Sequence, residues 1–180
     1  MNLPNKLTVL RMIMVPFFVL FMLTDIGGSA NKWITLAIFC IASLTDMLDG
    51  KIARKYNLVT NFGKFMDPLA DKLLVCSAMI ALIDLGRIPA WVVIIIIARE
   101  FIISGFRLVA SDNGIVIAAG WWGKIKTVCQ MVMVIVLICD FGGSVVHMIE
   151  MALIYLSLAL TIISLLDYLM KNKGVLSETK

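Results

Sequence analysis

The sequence predicts an all-α membrane protein: one bundle of six transmembrane helices spanning residues 1–180, with a short N-terminal amphipathic lead-in. Of the 180 residues, 61% are hydrophobic and the mean hydropathy is +1.00, whereas a soluble domain is roughly half apolar. The hydrophobic residues fall into six segments, each close to the ~20 residues that cross a bilayer. The connections are short, and no linker or repeat divides the chain, which favours a single domain.

The six predicted spans cover approximately residues 8–24, 33–55, 62–84, 89–110, 121–140 and 146–170. Residues 1–11 mix apolar and basic side chains, which is typical of a short segment lying along a membrane surface. The run 12–23 with its basic flank also fits a cleaved signal peptide. The later spans favour a retained helix, because they need a partner that stays in the membrane.

Lysine and arginine are distributed unequally between the two sides of this bundle. Six spans place both termini on the same side as the connections at 56–61 and 111–120. Most of the sixteen basic residues lie there, whereas only Lys32 and Arg87 lie on the opposite side. The positive-inside rule therefore places the termini and these two connections in the cytoplasm.

A polar stretch from Asp46 to Asp71 interrupts the apolar pattern. Asp46 and Asp49 are three residues apart and Asp67 and Asp71 four, so each pair shares a helix face. A short turn at residues 56–61 favours antiparallel helices, in which the two pairs face each other. Four clustered carboxylates repel one another and must protonate or bind cations. The spacing predicts a divalent-metal site. The alternative, a solvated acidic helix face, does not explain the small residues nearby.

Small residues accompany these aspartates. Gly50, Ala53 and Gly63 would let a ligand approach the helix backbone closely, and Arg54 can hold a phosphate through two parallel hydrogen bonds. Close helix packing is the alternative explanation for Gly50 and Ala53. The stretch favours a diphosphate-bearing substrate bound together with Mg²⁺ or Mn²⁺.

The pattern is Asp46-x2-Asp49-Gly50-x2-Ala53-Arg54-x8-Gly63-x3-Asp67-x3-Asp71. It resembles the signature of the CDP-alcohol phosphatidyltransferases, integral membrane enzymes of phospholipid synthesis. The resemblance implies that Asp46, Asp49 and Asp67 bind metal, and that Asp71 both contacts metal and accepts the proton of the attacking hydroxyl. Spacing alone does not distinguish base from ligand. The residues that the resemblance implies for CDP-diacylglycerol binding are Thr8, Asp49, Gly50, Ala53, Arg54 and Gly63.

Basic residues in the later spans suggest a second binding site. Arg99 lies near the middle of the fourth span, where a charge is costly and needs a partner or a ligand. With Arg107, Lys124 and Lys126 it would form a basic pocket beside the aspartates that suits the phosphate of an anionic acceptor. In the alternative interpretation, Arg99 pairs with Glu100 or an aspartate and both lysines extend toward lipid headgroups.

Residues 4–11, the Arg99-Glu100 pair, Arg107 and residues 123–127 resemble a bacterial branch of this family whose acceptor is sn-glycerol 3-phosphate. That resemblance implies CMP as the second product, a bacterial plasma membrane location and a homodimer. Another acceptor, namely serine, inositol or phosphatidylglycerol, is the nearest alternative.

Two other classes of membrane protein use intramembrane aspartates. An ion-coupled transporter is disfavoured because the four aspartates cluster at one membrane face. An intramembrane prenyltransferase is disfavoured because the aspartate pattern continues after Asp49 with Gly50, Ala53 and Arg54. The sequence contains no nucleic-acid-binding motif.

Overall fold

The computed structural model describes residues 2–56, 60–112 and 120–172, excluding the side chains of residues 47, 49–51, 53–55, 61, 62, 64, 65, 67, 68, 111 and 112. Over these residues the chain forms six α-helices and a single 3₁₀ turn, Gly28–Ala30, and contains no β-strand. The helices are α1 (Leu3–Leu23), α2 (Asn31–Lys55), α3 (Asn61–Asp84), α4 (Ala90–Asp112), α5 (Trp121–Cys139) and α6 (Ser144–Lys171). The prediction of an all-α protein is confirmed.

The N-terminal lead-in is not a separate segment, because residues 3–23 form one continuous helix. The Asn2 side chain accepts a hydrogen bond from the Asn5 backbone N–H at 3.2 Å, which caps the helix at this point. Asn5, Thr8 and Arg11 are buried at every third position. This polar stripe lies inside the molecule because α1 packs against α2 and α3.

The described chain divides into two compact units. The first comprises residues 1–87 and 137–140, and therefore contains α1, α2, α3 and the last turn of α5. In its interior the Phe18 and Phe39 rings lie 5.8 Å apart between centroids. Ala42, Ala70 and Ala78 are almost completely buried, and such small side chains let membrane helices approach closely.

The second unit comprises residues 88–136 and 141–180. Here α4 packs against α6, and the Phe106 ring meets the edge of the Tyr168 ring with centroids 5.6 Å apart. Several polar side chains are buried in this unit, among them Arg99, Lys126 and Ser164. The prediction of one domain over residues 1–180 stays a prediction.

Large apolar side chains are exposed on every helix, while some charged side chains of the described residues, namely Arg11, Arg99, Lys126 and Glu150, are buried. One exposed example from each helix in turn is Phe17, Ile41, Ile80, Ile94, Val128 and Leu166. In water such a surface would associate, whereas in a bilayer it faces lipid. Within the part of the chain that the structure describes, α1, α5 and α6 are long and apolar enough to cross a membrane. These features are those of a helical membrane protein.

Candidate active site

The first aspartate of the signature is held by an arginine from another helix. Arg11 on α1 has a fully buried side chain, and its Nη1 lies 2.7 Å from Oδ1 of Asp46 on α2. Its Nε donates to the backbone oxygen of Ala42 at 3.2 Å, so one guanidinium spans a full turn of α2. The planar donor fork fixes the orientation of the carboxylate. The Asp46 side chain is still 36% exposed and accessible to a ligand.

A second contact from α1 fixes the start of α3. The Thr60 hydroxyl accepts a hydrogen bond from the Gly63 N–H at 3.0 Å, which caps the helix. The same hydroxyl donates to Oδ1 of the buried Asn5 at 2.9 Å. Because Gly63 begins the second half of the signature, α1 positions both acidic helices, α2 through Arg11 and α3 through Asn5.

The structure describes only part of the predicted metal and nucleotide site. Asp71 is half-buried on α3 and Gly63 is buried in the first turn of that helix. The side chains of Asp49, Gly50, Ala53, Arg54 and Asp67 lie outside the described residues. Among the described residues, no group of three or more histidine, cysteine, aspartate or glutamate side chains is placed to hold a metal. The assignment of these residues stays a prediction.

Thr8, predicted to contact CDP-diacylglycerol, lies on the buried face of α1 between Asn5 and Arg11. Its side chain is completely buried, and its hydroxyl donates to the Pro4 backbone oxygen at 3.1 Å. A threonine hydroxyl bonded four residues back satisfies a backbone carbonyl within its own helix. The structure therefore shows a hydrogen bond within α1 for Thr8, and its role in substrate binding stays a prediction.

The predicted acceptor residues Arg99 and Lys126 meet at one carboxylate in the second unit. Oε1 of Glu100 lies 3.1 Å from Nη1 of Arg99 and also contacts Nζ of Lys126. The Arg99 Nε donates to the Ser164 hydroxyl on α6 at 3.2 Å. Arg99 therefore has Glu100 as a partner, as the alternative interpretation expects, and its role in binding the acceptor stays a prediction.

The same alternative is wrong for one of the two lysines. The Lys126 side chain is only 1% exposed, so it does not extend toward lipid headgroups. Lys124, two residues earlier on α5, is exposed. This difference follows from the helical period, which turns residues two apart toward different faces.

Arg107 has a different environment from Arg99. Its guanidinium carbon lies 5.6 Å from the centre of the Tyr168 ring, in cation–π contact. Within the described part of the chain, the buried Arg107 Nε and the buried Tyr168 hydroxyl have no hydrogen-bond partner. A buried polar group left unsatisfied costs about 1–3 kcal/mol. An anionic ligand could supply the missing acceptor for Arg107 Nε.

Sequence reasoning missed several residues that shape the surroundings of Asp46 and the basic cluster of the second unit. Asn5, Thr8 and Arg11 recur every third position in an otherwise apolar run, and this helical polar stripe is a signal that could have identified Arg11. Ser164 and Tyr168 lie within an apolar helix, 65 and 61 positions from Arg99 and Arg107. No local pattern links residues so far apart in the chain.

A family model described as CDP-alcohol phosphatidyltransferase matches residues 1–163. A CDP-diacylglycerol–glycerol-3-phosphate 3-phosphatidyltransferase of Bacillus subtilis is 50% identical over 143 residues, covering 74% of each chain. A relative of that name in Haemophilus influenzae is 39% identical over 182 residues, covering 98% of this chain and 96% of its own. A probable phosphatidylglycerophosphate synthase of Mycobacterium tuberculosis is 40% identical over 168 residues, covering 93% of this chain and 79% of its own. With an acidic signature across α2 and α3 and a family match over most of its length, this chain belongs to the CDP-alcohol phosphatidyltransferase family.

Proposed function

We propose that this chain transfers the phosphatidyl group of CDP-diacylglycerol to sn-glycerol 3-phosphate, giving phosphatidylglycerophosphate and CMP. The observation that carries the proposal is the Arg11–Asp46 contact at 2.7 Å. A fully buried cation from one helix orients the first carboxylate of the family signature on another. The names of the relatives support this choice of donor and acceptor.

The enzyme would be a multi-pass protein of the bacterial plasma membrane in which all six helices cross the bilayer. Exposed apolar side chains on every helix support this arrangement. The concentration of lysine and arginine on one side supports a cytoplasmic location for both termini and the Asp46–Asp71 stretch. A homodimer, implied by the resemblance to the bacterial branch, completes the proposal.

Carboxylate oxygens suit Mg²⁺ or Mn²⁺, and the environment of Asp46 fits a metal ligand. Its carboxylate is partly exposed, while the arginine that orients it is buried. Asp46, Asp49, Asp67 and Asp71 would hold the cation. Bound there, a divalent ion would polarise the phosphoryl group and neutralise charge on the leaving phosphate.

The chain's own residues would supply positioning and proton transfer. Arg54 and the small residues of the signature, Gly50, Ala53 and Gly63, would seat the diphosphate against α2 and α3. A free hydroxyl of the acceptor attacks the phosphorus that carries diacylglycerol, and its proton passes to the Asp71 carboxylate. A P–O bond forms to the acceptor, the P–O bond to CMP breaks, and CMP leaves with the bridging oxygen.

The acceptor phosphate would bind the basic residues of the second unit. Arg107 contributes the strongest observation, because its buried Nε has no hydrogen-bond partner among the described residues. Arg99 and Lys126 would add charge from the cluster around Glu100, and the exposed Lys124 would attract the anion from solvent. Recognition by several cations explains the choice of an anionic acceptor over serine or inositol.

CMP release from CDP-diacylglycerol tests this proposal. We expect the purified protein to release CMP with glycerol 3-phosphate and Mg²⁺ or Mn²⁺, and chelation to abolish turnover. Asp46→Asn should inactivate the enzyme, whereas Asp84→Asn, which changes an exposed carboxylate at the other end of α3, should not.

Three results would contradict separate parts of the proposal. Full turnover in excess chelator would refute the metal. Preference for serine, inositol or phosphatidylglycerol would refute the acceptor. No CMP release with any acceptor, by protein that is folded on gel filtration, would refute the reaction itself.

A further inference from the structure

A cavity of about 400 Å³ lies in the first unit, at the opposite ends of the helices that carry the acidic stretch. It is formed by the end of α1, the start of α2, the end of α3 and residues 137–140 at the end of α5. Its volume is within the ~300–1,000 Å³ typical of small-molecule sites. Thr35 in its wall and Asp46 are eleven residues apart on α2, or roughly 16 Å along the helix axis. The cavity is therefore not part of the site around Asp46.

The cavity has an apolar interior and a charged rim. Leu82, Leu137 and Ile138 are buried in its wall. Its rim carries two cations and two anions, namely Lys32, Arg87, Asp25 and Asp140. Lys32 and Arg87 are also the two basic residues that the sequence places on this side of the membrane. The formal charge of the rim is zero, which suits a ligand carrying both signs of charge.

Several polar contacts hold the rim in place. Arg87 Nη1 lies 2.7 Å from Oδ1 of Asp140, which ties the end of α3 to the end of α5. Lys32 Nζ donates to the Cys139 backbone oxygen at 3.4 Å. The Asn31 side chain donates to the backbone oxygens of Phe21 and Thr24, which closes the corner between α1 and α2. The cavity is thus formed by the fold before any ligand arrives.

We propose that this cavity binds the headgroup of a phospholipid with a phosphate and a primary ammonium, the phosphatidylethanolamine class. The phosphate would lie near Lys32 and Arg87, the ammonium would donate hydrogen bonds to Asp25, and the first acyl carbons would contact Leu82 and Leu137. Helix ends lie at the membrane interface, the depth at which phospholipid headgroups sit.

The rim distinguishes this headgroup from two other common ones. Choline cannot donate hydrogen bonds to carboxylates and is recognised by aromatic cages, whereas the described lining contains one aromatic residue, Phe21. A phosphoglycerol head carries a phosphate but no cation, so it would place only hydroxyl groups near Asp25 and would leave that carboxylate without a counter-ion from the lipid.

Native mass spectrometry of the full-length protein in detergent tests the assignment. The protein is mixed with equal amounts of phosphatidylethanolamine, phosphatidylcholine and phosphatidylglycerol of identical acyl chains, and the retained lipid is counted. We expect one phosphatidylethanolamine to be retained preferentially. Asp25→Asn and Lys32→Met should each weaken its retention about tenfold, equivalent to roughly 1.4 kcal/mol. Asp84→Asn, an exposed carboxylate that does not line the cavity, is the matched control and should retain the lipid.

Equal retention of the three lipids, or phosphatidylethanolamine retention unchanged by Asp25→Asn, would overturn the proposal. Preferential retention of phosphatidylglycerol would also overturn it, because the acidic half of the rim would then have no role. CMP release is measured in parallel and should be normal in Asp25→Asn. Loss of lipid retention is thereby separated from failure of the proposed transferase reaction.

Discussion

Glu100 is the anion shared by two buried cations of the second unit, Arg99 and Lys126. Its Oε1 contacts both Arg99 and Lys126, and the side chains of the three residues are only 18%, 10% and 1% exposed. Glu100→Gln keeps the size of the side chain but removes its charge. Two buried cations would then lie beside each other without their shared counter-ion, and we expect the variant to be strongly destabilised.

The magnitude follows from this burial. Removing one partner of a buried ion pair costs about 3–5 kcal/mol. A chain of this size loses about 2–4 °C in Tm per kcal/mol, so the expected decrease is roughly 6–20 °C. The matched control is Asp167→Asn, because Asp167 pairs with Lys171, whose side chain is 67% exposed. The Asp167 side chain is 21% exposed, similar to that of Glu100, but its partner lysine stays largely in solvent. An ion pair with a solvated partner is worth about 0–1 kcal/mol, so this variant should unfold close to wild type.

Thermal unfolding in detergent, followed by tryptophan fluorescence, measures both variants. If Arg99 and Lys126 bind the acceptor phosphate, glycerol 3-phosphate should raise the Tm of Glu100→Gln more than that of wild type, since the phosphate replaces the missing charge. A double-mutant cycle with Lys126→Gln should give a coupling energy of about 0.5–3 kcal/mol. A Glu100→Gln variant as stable as Asp167→Asn, or a coupling of zero, would refute the reasoning.

Three further changes test the rest of the site. Asp71→Asn should reduce CMP release to near background while CDP-diacylglycerol still binds, and near-normal turnover would show that Asp71 is not the base. Arg11→Lys keeps the charge but removes the planar donor fork, so the Asp46 carboxylate should lose its fixed orientation. CMP release should then fall at least tenfold, which corresponds to about 1.4 kcal/mol. Unchanged turnover in the folded variant would contradict this. Arg107→Ala should raise the KM for glycerol 3-phosphate about tenfold, because a charge-assisted hydrogen bond contributes roughly 1.5–3 kcal/mol. The KM for CDP-diacylglycerol should change little. Equal increases in both KM values would contradict the assignment of Arg107 to the acceptor.

The helices and the family could be predicted from local sequence alone. Runs of about twenty apolar residues predict the helices, and the predicted segments agree with the observed helices to within a few residues, apart from the first, which begins at Leu3. The family signature lies within 26 consecutive residues, so its spacing is readable without a fold. The first helix was predicted too short because polar Asn5 and Lys6 resembled a surface segment, whereas Asn5 is buried against Thr60.

The contacts around Asp46 and around Glu100 could not be predicted from local sequence. Arg11 and Asp46 are 35 positions apart, and Lys126 and Glu100 are 26 apart. Which charges meet depends on how the helices pack, and several cations were available for each carboxylate. The sequence showed that Arg99 needs a partner, but the burial of Lys126 at the same carboxylate depends on the rotation of α5.

The predicted metal ligands lie on the two least apolar helices, α2 and α3. By length and composition α1, α5 and α6 can cross a membrane, while α2, α3 and α4 carry the signature aspartates, Arg99 and Glu100. A charge at the centre of a membrane helix costs about 2.5–3.5 kcal/mol on insertion scales, and such residues usually pair with one another or face the protein interior. The apolar helices supply those partners: Arg11 of α1 binds Asp46, Lys126 of α5 binds Glu100, and Ser164 of α6 binds Arg99. The lower hydropathy of α2 and α3 and the charged residues within α4 therefore reflect the proposed site, and the contacts of Asp46 and Arg99 compensate charges that the proposed reaction requires in the membrane.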